Sequence, residues 1–214
     1  MNNSKKINKA YKYWAETYDN DKNLTRDLDH RIIKNHKDLY LNKKILEPGC
    51  GTGKNTIQFS NYGESVISFD SSEEMLKLAR KKNNNKNVCI LRHNIKKKWP
   101  FQNEYFDVVS INLVLEHLKK IKFTFKESHR VLKRNGYFFL SEIHPIKHLK
   151  GGQAKFKDLT TMNIIKIKSY FHSQSEYNDL ANKVGFNNNQ FKEYYSKKDL
   201  NNIPRIIFGI MKKF

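Results

Sequence analysis

Short apolar runs alternate along the chain with longer stretches whose apolar residues recur at helical spacing. "KKIL" (Lys43 to Leu46), "SVISFD" (Ser65 to Asp70), "NVCILRH" (Asn87 to His93), "YFDVVSIN" (Tyr105 to Asn112) and "GYFFLSEI" (Gly136 to Ile143) each read as a strand. A helix is predicted from Ser72, with Glu73 and Glu74 in its first turn where negative charge suits the helix dipole. Phe123, Phe125, Val131 and Leu132 mark a second helix, and "SEYNDLANKVGF" a third that ends at Gly185 as a C-cap. "QFKEYY" and "RIIFGIMKKF" close the chain as two strands with a short connection, hence an antiparallel hairpin. Strand–helix alternation of this kind predicts one α/β domain. Its sheet of seven strands is mostly parallel, with helices on both faces and a ligand at the carboxyl ends of the strands.

Charge changes this picture little. Lys and Arg number 41 against 21 acids, a formal +20 over 214 residues. Such a balance admits a nucleic-acid or anionic-membrane partner. The lysines are spread along the whole chain, however, and "KKNNNKN" and "NNNQ" read as polar turns. No segment clearly interleaves clustered charge with aromatics, so nucleic acid is not favoured. Cys50 and Cys89 form neither a metal spacing nor a disulfide framework. The start "MNNSKKINK" has no apolar core of a signal peptide, and no run reaches the length of a transmembrane segment. A cytoplasmic location and no metal are the expectations.

The chemistry concentrates in "ILEPGCGTGKN", Ile45 to Asn55, which holds three of the chain's nine glycines. Gly49, Gly51 and Gly53 fill the turn between the first strand and a helix expected from about Asn55. Without a Cβ they permit a tight bend, and a ligand can lie against the backbone where helix N–H groups face it. A G-x-G-x-G turn alone is weak, because dinucleotide enzymes use a similar one. Asp70 sharpens it: a carboxylate at the end of the second strand can accept both hydroxyls of a ribose.

"ILEPGCGTG" together with "VISFDSSEEMLKLAR" resembles the class I S-adenosylmethionine (SAM)-dependent methyltransferases, a Rossmann-like superfamily. The likeness extends over nearly the whole chain after residue 44. It implies that Glu47 lies near the methionine end of SAM and that the loop Gly49, Cys50, Gly51 to Gly53 curves round the cofactor. It further implies that Asp70 and Ser71 hold the ribose and that Met75 packs on adenine. "RHNIKKKWPF" is similar to the family's third-strand segment, placing Asn94 and Ile95 beside the adenine. Asn94 stands where Asp is common. "FDVVSINLVLEHL" and "ESHRVLKRNGYFFLSEI" match the fourth and fifth strands and bring Asn112 to the site. The N-terminal "YKYWAETYDNDKNLTRDLD" resembles a lid: Trp14 and Tyr18 would fold over the cofactor, and Arg26 would meet the methionine carboxylate. Residues 1–40 are thus expected as a helical cap on a SAM-binding domain of residues 41–214.

Methyl transfer from a sulfonium needs alignment and exclusion of water, and a base only where the acceptor must lose a proton. His144 and His172, and behind them His117, are the candidate bases, with Tyr18, Tyr170 and Lys147 lining an acceptor pocket. The expected function is transfer of a methyl to O or N of a small molecule. The alternatives are an RNA, protein or anionic-lipid methyltransferase using the basic surface, and a non-catalytic SAM-binding partner subunit. Methylases of base amines resemble one another in an Asn/Asp-Pro-Pro-aromatic motif after strand four; here that place reads "NLVL", Asn112 to Leu115, which argues against that chemistry. These motifs fix neither the acceptor atom nor the oligomeric state.

Overall fold

The computed structural model describes residues 18–19, 22–157, 162–196 and 203–214. Five parallel strands form its centre: β1 (Lys44–Pro48), β2 (Ser65–Asp70), β3 (Val88–Arg92), β4 (Phe106–Asn112) and β5 (Leu132–Ile143). After a two-stranded hairpin of β6 (Lys155–Lys157) and β7 (Ile164–Lys166) come β8 (Phe186–Tyr194) and β9 (Ile206–Lys213). The main sheet has seven strands in the order β3-β2-β1-β4-β5-β9-β8, and β9 runs antiparallel to both neighbours. The fold class read from the sequence is therefore the one observed. Strand β5 begins four residues earlier than predicted, and the β6–β7 hairpin was not foreseen. Three-residue strands give too little alternation to read.

Adjacent residues of the central strands serve opposite faces, as the period of two requires. Leu46, Val109, Phe138 and Leu140 enter one core with Phe125 and Tyr177, on the side of α4 (Lys122–Val131) and α6 (Gln174–Val184). Ile45, Val108 and Phe139 enter the other with Leu28, Ile32, Ile33 and Phe59, on the side of α1 (Leu24–Asn35) and α2 (Lys54–Tyr62). Both faces are thus covered by apolar side chains, which is why the strands read as unbroken apolar runs.

Local signals place the helix ends. Asn23 Oδ1 accepts from the N–H of Thr25 and Arg26 to start α1. Ser72 caps α3 (Glu73–Lys82), whose first turn carries Glu73 and Glu74 and whose last turn carries Arg80, Lys81 and Lys82. Gly185, at φ +102°, ends α6 in the left-handed conformation anticipated for it. A short helix α5 (Pro145–Leu149) follows β5. Strand order reverses at β1, which pairs with β2 on one side and β4 on the other. A crevice forms at the carboxyl ends of strands beside such a reversal.

Candidate active site

The crevice is a cavity roofed by Tyr18 and Arg26 and floored by the glycine turn. Gly49, Gly51 and Gly53 all lie at positive φ (+79°, +54° and +73°), which disfavours any side chain. Their surroundings differ. A Cβ on Gly49 would stand 2.5 Å from Val114 Cγ2, so this glycine lets the turn pack on the loop after β4. A Cβ on Gly53 would stand 3.0 Å from Ala79 Cβ, so this one lets α2 start against α3. A Cβ on Gly51 would meet nothing within 4 Å. That open space is the cavity.

One wall comes from β2 and α3. Asp70 accepts from the backbone N–H of Gly51 (3.1 Å) and Ser72 (2.9 Å), so the carboxylate locks the glycine turn to the start of α3. Burial raises its pKa against those hydrogen bonds. Ser71, Met75, Asn94 and Ile95 continue this wall. Asn94 Oδ1 accepts the N–H of Lys96 and retains a second lone pair. His93 Nε2 is buried here without a hydrogen-bond partner among the described residues.

The opposite wall is built by α1 and the loop after β4. The Arg26 guanidinium lies 4.0 Å from the centre of the Tyr18 ring and donates to the Tyr18 carbonyl. Asp19 accepts from Thr52 Oγ1 (2.8 Å) and Lys82 Nζ (2.6 Å), tying this segment to the glycine loop and to α3. Asp29, 3% exposed, accepts from the amides of Asn55 (2.8 Å) and Asn112 (3.0 Å), and burial raises its pKa. Leu113 stands at φ +56°, a strained value for a side-chain-bearing residue, directly after β4. Its loop is fixed by Glu142, whose carboxylate accepts from the N–H groups of Val114 (2.9 Å), Leu115 (2.8 Å) and Glu116 (3.4 Å).

Glu47 closes the floor. It accepts from Thr56 Oγ1 and from Ser68 Oγ (2.8 Å), and burial pushes its pKa up to about 7. Carboxyls of Asp29, Glu47 and Asp70 thus surround a cavity entered by one guanidinium, that of Arg26. The site suits a ligand with polar hydroxyls and positive charge along part of its length and a carboxylate at one end.

Of the residues expected to touch a cofactor, Tyr18, Arg26, Glu47, Gly49, Cys50, Gly51, Asp70, Ser71, Met75, Asn94, Ile95 and Asn112 line this one cavity. Gly53 does not; it supports the turn from behind. Trp14 lies outside the described residues. The three candidate bases lie in different surroundings. His117 lines the cavity, its Nδ1 3.4 Å from the Lys168 carbonyl, and burial lowers its pKa to about 4. His144 instead caps α5, its Nδ1 accepting from Ile146 N–H (3.2 Å) and its Nε2 facing Glu193 (3.1 Å). His172 spans Glu176 (3.0 Å) and the Leu118 carbonyl (2.8 Å). Neither lines the cavity, and nor do Tyr170 and Lys147. Asp29, Asn55 and His93 were missed. Asp29 reads in sequence as one more charge on an exposed helix face.

Residues 46–140 match the family model of a methyltransferase domain. A demethylmenaquinone methyltransferase of Staphylococcus haemolyticus is 31% identical over 63% of this chain and 60% of its own length. YcgJ of Bacillus subtilis, an uncharacterised methyltransferase, is 26% identical over 59% and 51%. The chain therefore spans less than two thirds of these relatives. A Listeria monocytogenes crystal structure, assigned as a SAM-dependent methyltransferase, shares the fold with a TM-score of 0.75 at 22% identity, covering 88% of this chain and 99% of that one. Residues 46–140 thus resemble a methyltransferase domain, and the chain has the fold of solved SAM-dependent methyltransferase structures.

The methyltransferases that this chain resembles use SAM, and the cavity fits that cofactor on its own geometry. An adenosyl group needs a backbone approach without side chains, which Gly51 provides, and a fixed carboxylate, which Asp70 provides. The methionine end of SAM pairs a carboxylate with an ammonium and a sulfonium. Arg26 suits the first, and Glu47 and Asp29 suit the other two.

Proposed function

We propose that the protein transfers a methyl group from SAM to a nucleophilic atom, O or N by expectation, of a small-molecule acceptor. The observation that carries this reading is the single cavity in which the glycine turn, Asp70, the Arg26–Tyr18 pair and the loop after β4 meet. In it Asp70 holds the ribose hydroxyls, with Ser71 beside it, and Met75 and Ile95 sandwich the adenine edge near Asn94. Arg26 binds the methionine carboxylate, and Glu47 with Asp29 balances the positive charge. Bound SAM supplies an electrophilic methyl on its sulfonium. The chain supplies alignment and shelter from water: the Glu142-held loop fixes Asn112 to Leu118 against the cofactor, and residues up to 40 act as the cap. Where the acceptor must lose a proton, His117 receives it; its lining of the cavity and its neutral state at pH 7 support this. The small-molecule class is supported by relatives named for demethylmenaquinone.

Calorimetry tests the assignment. Asp70→Ala should weaken binding of SAM and of its demethylated product by about 1.5–3 kcal/mol, the range for hydrogen bonds to a charged group. Unchanged affinity would remove Asp70 from the ribose. Binding of NAD in place of SAM would remove the cofactor reading, and turnover abolished by nuclease or protease treatment of the acceptor would remove the small molecule.

A further inference from the structure

Methyl transfer leaves one part of the molecule unused: the segment from α5 through the β6–β7 hairpin to Phe171. Its inner face is accounted for. Phe156 and Ile167, 5% and 2% exposed, pack with Ala154, Ile165 and Tyr18, and Tyr18 lines the cavity. The hairpin thus covers the roof of the site. Its outer face is a different surface. Lys155 pairs directly opposite Lys166, so the two share a face, and both are exposed with Ile164 (65%) and Met162 (59%). On α5, Leu149 (71%) and Ile146 (45%) lie one turn apart, followed by exposed Lys150. Phe171, also exposed, sits edge-on to His148 of that helix at 6.0 Å, and the Ile167 N–H donates to the Ala154 carbonyl.

Nine large apolar residues are exposed among those described, and five of them fall in this one segment. They are interleaved with lysines. Between residues 144 and 172 the sequence has Lys147, Lys150, Lys155, Lys157, Lys166 and Lys168, no Arg, and Asp158 as the one acid. That composition selects a partner. A protein interface core is depleted in Lys. Single-stranded nucleic acid calls for stacked aromatics and Arg, whereas these apolar side chains are mostly aliphatic. Aliphatic side chains that reach past the headgroups, with lysines level with anionic phosphates, are what a bilayer surface accepts. We propose that the outer face of α5 and the β6–β7 hairpin docks the protein on an anionic lipid bilayer. The cavity roof then lies against the membrane, with the hairpin between the two.

Vesicle sedimentation of the full chain tests this without reference to catalysis. Vesicles of equal parts phosphatidylglycerol and phosphatidylcholine should bind the protein, and pure phosphatidylcholine should not. A lysine at such a surface contributes about fivefold in partition, and a glutamate in its place is repelled, so combining Lys150→Glu, Lys155→Glu and Lys166→Glu should lower binding by at least about a hundredfold. Lys77→Glu, Lys81→Glu and Lys86→Glu together change the net charge equally on another, exposed surface and should lower it much less. Leu149→Ser with Ile164→Ser leaves the charge intact and should cost about tenfold through lost insertion. Thermal melting and product binding, unchanged in each variant, establish that it is folded. The proposal is overturned if anionic vesicles fail to bind, if the control triple loses as much as the hairpin triple, or if the Leu149/Ile164 variant binds like wild type. Retained binding to single-stranded RNA through the same three lysines, with no vesicle binding, would assign the face to nucleic acid instead.

Discussion

At the residue scale, Glu47 is the group whose chemistry the cavity alters most usefully. Its pKa near 7 means that the empty site is about half protonated at neutral pH. A bound sulfonium or ammonium favours the ionised carboxylate, so cation binding expels that proton. Affinity for SAM should therefore rise as pH rises from about 6 to 8, and less so for the demethylated product, which lacks the sulfonium. Calorimetry in buffers of different ionisation enthalpy should detect proton release with SAM, and Glu47→Gln should abolish its pH dependence. A pH-independent affinity in the wild type would place the positive charge away from Glu47. Glu47 and Asp70 were legible in the sequence because a strand end beside a glycine turn is a fixed place in this architecture. Asp29 and His93 were not, since nothing in the pattern of α1 or of the loop after β3 marks a polar side chain turned inward. The surroundings of the histidines were not legible for a related reason. A sequence places His144 and His172 on loops near the sheet edge, but only three dimensions show that both ring nitrogens of each are already engaged.

At the scale of elements, the central strands were legible because burial on both faces leaves continuous apolar runs between glycine and asparagine turns. The β6–β7 hairpin was not, because half of the residues in its two short strands are lysines. The cap belongs to this scale as well. Helix α1 is anchored in the core by Leu28, Ile32 and Ile33; ahead of it, Tyr18 and Asp19 are held by the Arg26–Tyr18 contact, by Asp19 with Thr52 and Lys82, and by Tyr18 against the hairpin. The links ahead of α1 converge on the glycine loop and cavity roof, so cofactor bound beneath them adds contacts to the same residues. Opening of the cap should then become rarer when the site is filled. Hydrogen exchange of the amides at Tyr18 and in the first turns of α1 should slow on addition of the demethylated product, while β4 and β5 should not change. Equal exchange of α1 with and without ligand would make residues up to 40 a fixed part of the domain and not a cap.

For the whole molecule, a strongly basic chain encloses an acidic interior. Asp29, Glu47, Asp70, Glu116 and Glu142 are all buried or walled into the site with raised pKa values, Glu116 and Glu142 to about 8 each. These last two repel each other. Glu142 accepts three backbone N–H groups and is the better placed to stay ionised, while Glu116 Oε2 is buried without a partner among the described residues and is the better placed to keep the proton. The sign follows from linkage. Above its ordinary value of 4.5 the unfolded Glu116 is ionised while the folded one still holds a proton. The folded state binds more protons, and stability falls as pH rises until about 8. Asp107 and Glu127 act in the opposite sense: Lys133 and Arg130 hold them below the carboxylate range, and their contribution is lost as pH falls through those lowered values. Burial lowers His117 to about 4, so below its ordinary value of 6.5 it opposes Glu116, and stability without cofactor should fall with pH only above 6.5, whatever the self-repulsion that +20 brings. Unfolding free energies from urea titrations at pH 4 to 9 should fall by about 2 kcal/mol between pH 6.5 and 8. Glu116→Gln, which cannot ionise, should flatten much of that slope and leave the acid limb below pH 4 in place. A wild-type stability that climbs from pH 6.5 to 8 would mean that both glutamates are ionised in the folded protein, and that the loop after β4 is solvated instead of packed.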